Sequence, residues 1–246
     1  MSLISRLFGA IQSLGTFVIL LIQITIWGVP AGPAILVFQR FMLMSSEFPS
    51  VQGALVLGLG LFVSIFVWGM GLLVFGGVLQ FLLRPRNIGP EGIEVPIQSL
   101  TTVQWAICAQ IHRQVTPFLT HVVPSMFSNL YYRLAGARIG RGCQINTAHL
   151  QDAYLIEIGE RAILGGSATV LGHILEQGKL ILAPVRIGKG ALIGTSALVG
   201  PGATVGDGAV LGERAMLLKR RSVPSREVWV GSPAKKLKSR DDPSSD

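Results

Sequence analysis

Of the 246 residues, half are hydrophobic and only 14% are charged, with a formal net charge of +8 at pH 7. That balance excludes a disordered chain and fits a membrane-embedded segment joined to a modest soluble domain. Two cysteines, Cys108 and Cys143, make no disulfide framework and suit a reducing compartment.

No charge lies between Arg6 and Arg40, or between Glu47 and Arg84. A helix needs about 20 apolar residues to cross a bilayer, so each stretch is long enough for one span. A buried soluble hairpin is excluded because the remaining chain is too small to enclose it. The first stretch is too long for a cleaved signal peptide, and no small-x-small site follows it closely. Arg6, Arg84 and Arg86 flank the outer ends of the pair, against Arg40 alone near the connection. Basic residues stay on the cytoplasmic side, so both ends of the chain are expected in the cytoplasm, at a bacterial inner membrane. Pro30 and Pro33 predict either a kink in the first span or its end near Trp27, with a half-inserted segment following.

Pro85 to Pro96 reads as a connector. Val103, Ile107, Ile111 and Val115 then recur every fourth residue, with Ser99 or Thr101 available as N-cap, which predicts a helix that Pro117 and Pro124 break. A second short helix is expected from Pro124 to Leu134, closed by Gly136. These helices either lie in the membrane interface, with Trp105, Tyr131 and Tyr132 at headgroup depth, or cap the domain that follows and protect its edge strands.

From Ile187 an aliphatic residue recurs at every sixth position: Ile193, Val199, Val205, Leu211, Leu217 and Val223. Gly188, Gly194, Gly200, Gly206 and Gly212 follow the first five, and Ala191, Ala197, Ala203, Ala209 and Ala215 lie four beyond them. A period of six is neither helical nor that of a flat sheet, and points to a repeat. The physical reading is a three-sided coil in which aliphatic side chains fill the axis, glycine permits the corner, and the small fourth residue leaves room between stacked coils. This is the pattern of the left-handed parallel β-helix. It starts earlier, at Ile139–Gly140 and Ile145, and continues through Ile158, Leu164 and Val170. Ile145 to Ile158 is one residue more than two hexads, and Val170 to Ile187 one fewer than three, so a loop is expected to leave a corner at each slip. The expected organisation is transmembrane helices in 1–86, a connector with amphipathic helices in 87–136, about five coils in 137–231, and a basic then acidic tail in 232–246.

Of His112, His121, His149 and His173, the last two fall in the out-of-step stretches. A lone histidine is usually structural, but one on a loop of a rigid scaffold sits where a site is built, and its neutral ring can serve as a general base. Glu176 or Asp152 is available to orient it. His149 and His173 are 24 residues apart and no close histidine pair exists, so no metal is expected. Between Lys219 and Arg240 eight basic residues face one acid, Glu227. Without interleaved aromatics or a reader motif, this cluster suits a membrane surface or a phosphate-bearing cofactor and not nucleic acid.

From Leu134–Ala135–Gly136–Ala137–Arg138–Ile139–Gly140 to Gly231–Ser232–Pro233–Ala234–Lys235 the chain resembles the hexapeptide-repeat acyltransferases, many of which carry Gly231-x-Pro233–Ala234–Lys235 as a closing motif. Ala137–Arg138–Ile139–Gly140, His173 and Ala183–Pro184–Val185–Arg186–Ile187–Gly188 together are similar to the membrane-anchored, acyltransferase-like C-terminal regions of poly-lysine-type peptide synthetases. The resemblance covers the coil; the membrane portion matches in layout only. It implies a homotrimer with acyl-CoA or acetyl-CoA in the groove between neighbouring prisms, and a histidine base at that interface. His173 matches that base best, His149 is a supporting candidate, and Asp152 and Glu176 are possible orienting carboxylates. Lys219, Arg220, Lys235, Ser196 and Ala197 are the implied cofactor contacts. No adenylation or carrier domain lies within these residues, which leaves donor and acceptor open. Two spans, where one would anchor, suggest a lipid or lipid-linked acceptor. The competing readings are a non-enzymatic trimeric membrane scaffold and a zinc enzyme like the γ-class carbonic anhydrases.

Overall fold

A computed structural model describes residues 3–239, with side chains described from 15 to 237. Helix α1 (Leu3–Ser45) runs unbroken through Pro30 and Pro33, so it does not end near Trp27. Two contacts with helix α2 (Ser50–Leu83) hold this stretch. Pro30 fills the space beside Gly71, where a Cβ would lie 2.7 Å from the proline's own. Trp68 Nε1 donates to the Trp27 carbonyl at 2.9 Å. Both helices are long and apolar enough to cross a membrane, and most of their large apolar side chains are exposed.

The glycines of α2 mark where other elements press against it. A Cβ at Gly60 would fall 2.3 Å from Phe41 Cβ, at Gly69 2.0 Å from Phe118 Cε2, and at Gly76 2.5 Å from Val115 Cγ2. Small residues let helix backbones approach closely, and here they seat α1 on one side and helix α3 (Leu100–Val122) on the other. Ser99 Oγ caps α3, accepting from Thr102 N at 3.2 Å. Pro117 does not break α3: the lost hydrogen bond is offset where Val115 and Leu119, on the same turns, are completely buried. Helix α4 (Met126–Leu134) begins at a capping box formed by Ser125 and Ser128. Leu73, Val115, Leu119, Tyr131 and Tyr132 share one core with Ile145, Ala148 and Leu150, so α3 and α4 close the open end of the coil.

The coil has three faces, each a parallel ladder. The first stacks Arg138–Ile139, Ile156–Ile158, Val185–Ile187, Thr204–Val205 and Ser222–Val223. The second runs from Gln144–Ile145 through Ile163–Leu164, Leu192–Ile193 and Val210–Leu211 to Glu227–Val230. The third joins Leu150–Gln151, Thr169–Leu171, Leu198–Val199 and Met216–Leu217. Equivalent hexad positions pair in register, as Ile158↔Ile187 and Val170↔Val199 do. The aliphatic and alanine positions alike are almost wholly buried along the axis.

The glycine after each aliphatic does not make the corner. A Cβ at Gly194 would sit 2.5 Å from Glu213 N, and at Gly188 2.6 Å from Asp207 N, both backbone atoms of the next coil. Glycine is therefore needed where coils stack most closely. Leu218 and Pro224 replace it near the far end of the coil. The corner itself is the residue two further on, which takes a left-handed φ at Ser196, Arg214, Arg220 and Arg226 as well as at glycines.

The second slip is larger than the hexad count implied. Successive positions on one face, normally 18 apart, are 29 apart from Val170 to Val199, so 11 residues are inserted. They form the antiparallel hairpin of His173–Glu176 and Lys179–Leu182, whose outer edge pairs with Ile93–Pro96 of the connector. The earlier slip is taken up by a short 3-10 turn, Ala153–Leu155. At the far end, Lys235–Ser239 folds back antiparallel on Glu227–Val230, so part of the basic segment belongs to the sheet.

Candidate functional site

Both slips open towards the same place. Asp152 has a left-handed backbone, φ 59°, just ahead of the 3-10 turn, which turns its carboxylate towards the base of the hairpin. Gly172 permits the approach: a Cβ there would lie 3.0 Å from Asp152 Cβ. His173 Nδ1 then donates to Asp152 Oδ2 at 2.5 Å, with the carboxylate side chain 3% exposed and the imidazole 19% exposed. With its Nδ1 proton committed, the ring presents Nε2 as a free lone pair. Trp105 of α3 lies against the ring, centroids 4.7 Å apart, and its own Nε1 has no hydrogen-bond partner among the described residues.

A cavity of about 570 Å³ opens beside this pair, walled by the coil on one side and α3 on the other. His149 lines it, as do His112, Arg113, Thr116 and Pro117 from α3 and Gln80 from the end of α2. Three of the four histidines therefore border one space, though only His173 has a carboxylate partner. His112 serves a different purpose. Its Nδ1 accepts from Tyr131 OH at 2.7 Å, and that hydroxyl accepts from Gln80 Nε2 at 2.6 Å. Its other nitrogen bonds the Ala148 carbonyl, and burial is the main cause holding its pKa down at about 4. A neutral, fully bonded ring ties α2, α3 and α4 to the coil corner that carries His149. Burial likewise pushes the Cys108 thiol up to about 12, which removes it as a nucleophile.

Glu176 is not beside the imidazole. It caps the far end of the hairpin strand, where its carboxylate pairs with Lys219. Arg220 pairs with Glu94 at 3.0 Å. These ties fasten the connector and hairpin to the coil. Ser196 is an exposed corner, whereas Ala197 is enclosed, its carbonyl accepting from Thr169 N at 2.8 Å. Lys235 starts the last strand, exposed, beside Lys236, which pairs with Glu227 at 2.8 Å. A second, shallower groove of about 800 Å³ follows the first face, with Arg138, Arg186 and Lys189 on its walls. Among the described residues no three His, Cys, Asp or Glu side chains form a group able to hold a metal. Sequence reasoning missed Trp105 and His112 as site residues, and Arg113 altogether. The helical spacing of residues 103–115 placed them on α3, but only the fold lays α3 along the hairpin.

No family model matches the chain. A curated relative, delta-poly-L-ornithine synthetase of Acinetobacter baumannii, is 22% identical over 177 residues, covering 68% of this chain but only 12% of that protein. Among solved structures, a maltose O-acetyltransferase from Clostridium difficile superposes with a TM-score of 0.48 at 17% identity, covering 61% of this chain and 94% of that one. A hexapeptide-repeat acetyltransferase from Vibrio cholerae gives 0.46 at 15%, covering 56% and 94%. A galactoside acetyltransferase in complex with coenzyme A gives 0.45 at 17%, covering 61% and 88%. The structures that this chain is similar to are thus hexapeptide-repeat acetyltransferases, and its curated relative is a poly-L-ornithine synthetase about six times longer.

Proposed function

We propose that the chain is an acyltransferase of the hexapeptide-repeat type, anchored in a bilayer by α1 and α2, which uses His173 as a general base oriented by Asp152. The observation that carries this reading is the half-buried imidazole, paired with a buried carboxylate, opening into a walled cavity. An acceptor hydroxyl or amine held at Nε2 gives up its proton to the ring as its oxygen or nitrogen attacks the carbonyl of an acyl thioester. The C–S bond breaks, the departing thiolate takes the proton back from the imidazolium, and the products are the acylated acceptor and the free thiol. Asp152 stabilises the imidazolium while the charge exists. Acyl-CoA, with acetyl-CoA as the simplest case, is the donor that the sequence resemblance implies. Lys219 and Arg220 are candidates for its phosphates, since the Lys219 pairing with Glu176 lies three residues along the strand from His173.

Purified full-length protein in detergent, given acetyl-CoA and a membrane extract as acceptor source, should release free thiol, and His173→Asn should not. Release that persists in His173→Asn removes the base assignment; a membrane scaffold would bind no CoA thioester at all.

A further inference from the structure

Resting on the acyl-transfer reading, we infer that the acceptor is a bilayer-resident amphiphile with an anionic headgroup, entering the His173 cavity sideways from the leaflet next to the coil. The first ground is where α3 and α4 lie. Gly60 of α2 packs on Phe41, next to Arg40, and Arg84 ends α2. Between these levels α2 rises by about 36 Å, close to the ~30 Å hydrocarbon core. The turn-side half of the α3–α4 hairpin lies inside that band. Phe118 and Phe127 contact Phe66 at 6.3 and 5.9 Å between centroids, and Val115 contacts Gly76. The turn between the helices thus sits about 21 Å along α2 from Gln80. In keeping with this, residues 114–132 contain no Asp, Glu, Lys or Arg, and arginines bracket them at 113 and 133.

The second ground is the direction of the cavity. It follows α3 from Trp105, against His173, to Thr116 and Pro117, a length of about 18 Å. Its reactive end is at the coil, and its other end lies within the apolar band. A soluble acceptor needs no such exit, whereas an alkyl chain leaving past Pro117 would remain in the leaflet. The third ground is Arg113, on the cavity wall about 12 Å along α3 from Trp105. Among the described residues it has no carboxylate partner, unlike Arg138, Arg186 and Arg220. An unpaired guanidinium this near the hydrocarbon is costly unless it meets an anion, and its fork suits phosphate. Headgroup at His173, phosphate at Arg113 and chain beyond Pro117 is the order an amphiphile offers.

The test needs no turnover, so its failure is separable from failure of the acyl-transfer reading. The full chain is reconstituted in vesicles of phosphatidylcholine and phosphatidylglycerol, with a benzophenone amino acid at Thr116, at exposed Phe62 as a lipid-facing control, or at Ser225 as a remote one. Irradiation and mass spectrometry should find lipid adducts at Thr116 and Phe62 and none at Ser225. Thr116 adducts should be enriched in phosphatidylglycerol relative to those at Phe62, and Arg113→Gln should lose that enrichment. His173→Asn should leave the adducts unchanged. A Thr116 position that behaves like Ser225 while Phe62 reacts overturns lateral entry. Adducts at Thr116 without the Arg113-dependent enrichment overturn the anionic headgroup. Ala109, on the same wall, is the second labelling position if the Thr116 variant melts early.

Discussion

Two histidines that look alike in the sequence do opposite things, and the difference is one carboxylate. His173 keeps Asp152 on Nδ1 and leaves Nε2 to the cavity; His112 has both nitrogens committed to protein groups. His173→Asn should therefore lower kcat/KM by about 10²–10⁴-fold, the usual cost of a lost general base, with thermal stability unchanged. Asp152→Asn, which keeps the hydrogen bond but not the charge, should lose less, and equal losses would mean that the carboxylate's charge, and not only its hold on the ring, is indispensable. His112 should report in stability instead. Burial lowers its pKa from 6.5 to about 4 in the folded chain, so between those values the unfolded chain binds the extra proton. The stabilisation is complete above pH 6.5 and is lost as pH falls towards 4, to a total on the order of 3 kcal/mol. His112→Gln should flatten the melting temperature against pH across that window, and an unchanged slope would place the acid sensitivity elsewhere. From sequence alone, Asp152 and Glu176 were equal candidates to orient His173. Nothing in their spacing says that Glu176 lies at the far end of a hairpin, paired with Lys219.

The hexad is legible because it repeats one physical demand at one spacing: an aliphatic residue at the axis and no Cβ where the next coil passes. What it could not show is the size of an interruption. Counted in sixes, an 11-residue insertion looks like a deficit of one, and only the pairing of Val170 with Val199 reveals that a whole hairpin has left the coil. The helices were legible in the same partial way. Spacing and Ser99 gave the start of α3, but Pro117 was expected to end it, because the packing of Val115 and Leu119 lies outside the local sequence. The stacking role of the second hexad residue separates from general glycine loss in a matched pair. At Gly194 a methyl group meets the backbone of Glu213, whereas at Gly166 nothing lies within 4 Å. Gly194→Ala should cost about 1–3 kcal/mol as the coils shift apart, and Gly166→Ala should be neutral or slightly stabilising. Comparable melting temperatures for the two variants would mean that the coil stack yields without cost.

At the scale of the whole molecule, the two long apolar helices and the coil are parts of one packed unit. Leu73 of α2 belongs to the same core as the first coil, and Gln80 is bonded through Tyr131 to His112 on the cavity wall. In the proposed bilayer-anchored arrangement the site would thus be fixed in height relative to the lipid, which a flexible tether would not achieve. It also lies within one chain, between α3 and the hairpin. The homotrimer implied by the sequence resemblance would place a neighbouring prism beside the coil without being needed to bring Asp152 to His173. If α1 and α2 cross a membrane, orientation becomes a strong constraint, because a coil packed against α2 must lie on the side of Arg84 and Arg86. The short connection between α1 and α2, residues 46–49, must lie on the other. Basic residues near span ends are retained in the cytoplasm, and CoA thioesters would be drawn from the same compartment. With Cys108 and Cys143 replaced by serine, a single cysteine at Ser46 should react with a membrane-impermeant maleimide in intact bacterial cells. One at Ser225, exposed near the last coil, should react only after the cells are opened. The reverse pattern would put the coil outside, cut off from cytoplasmic CoA, and the acyl-CoA reading would fall with it. Labelling of both positions in intact cells would mean that α1 and α2 lie on the membrane without crossing it.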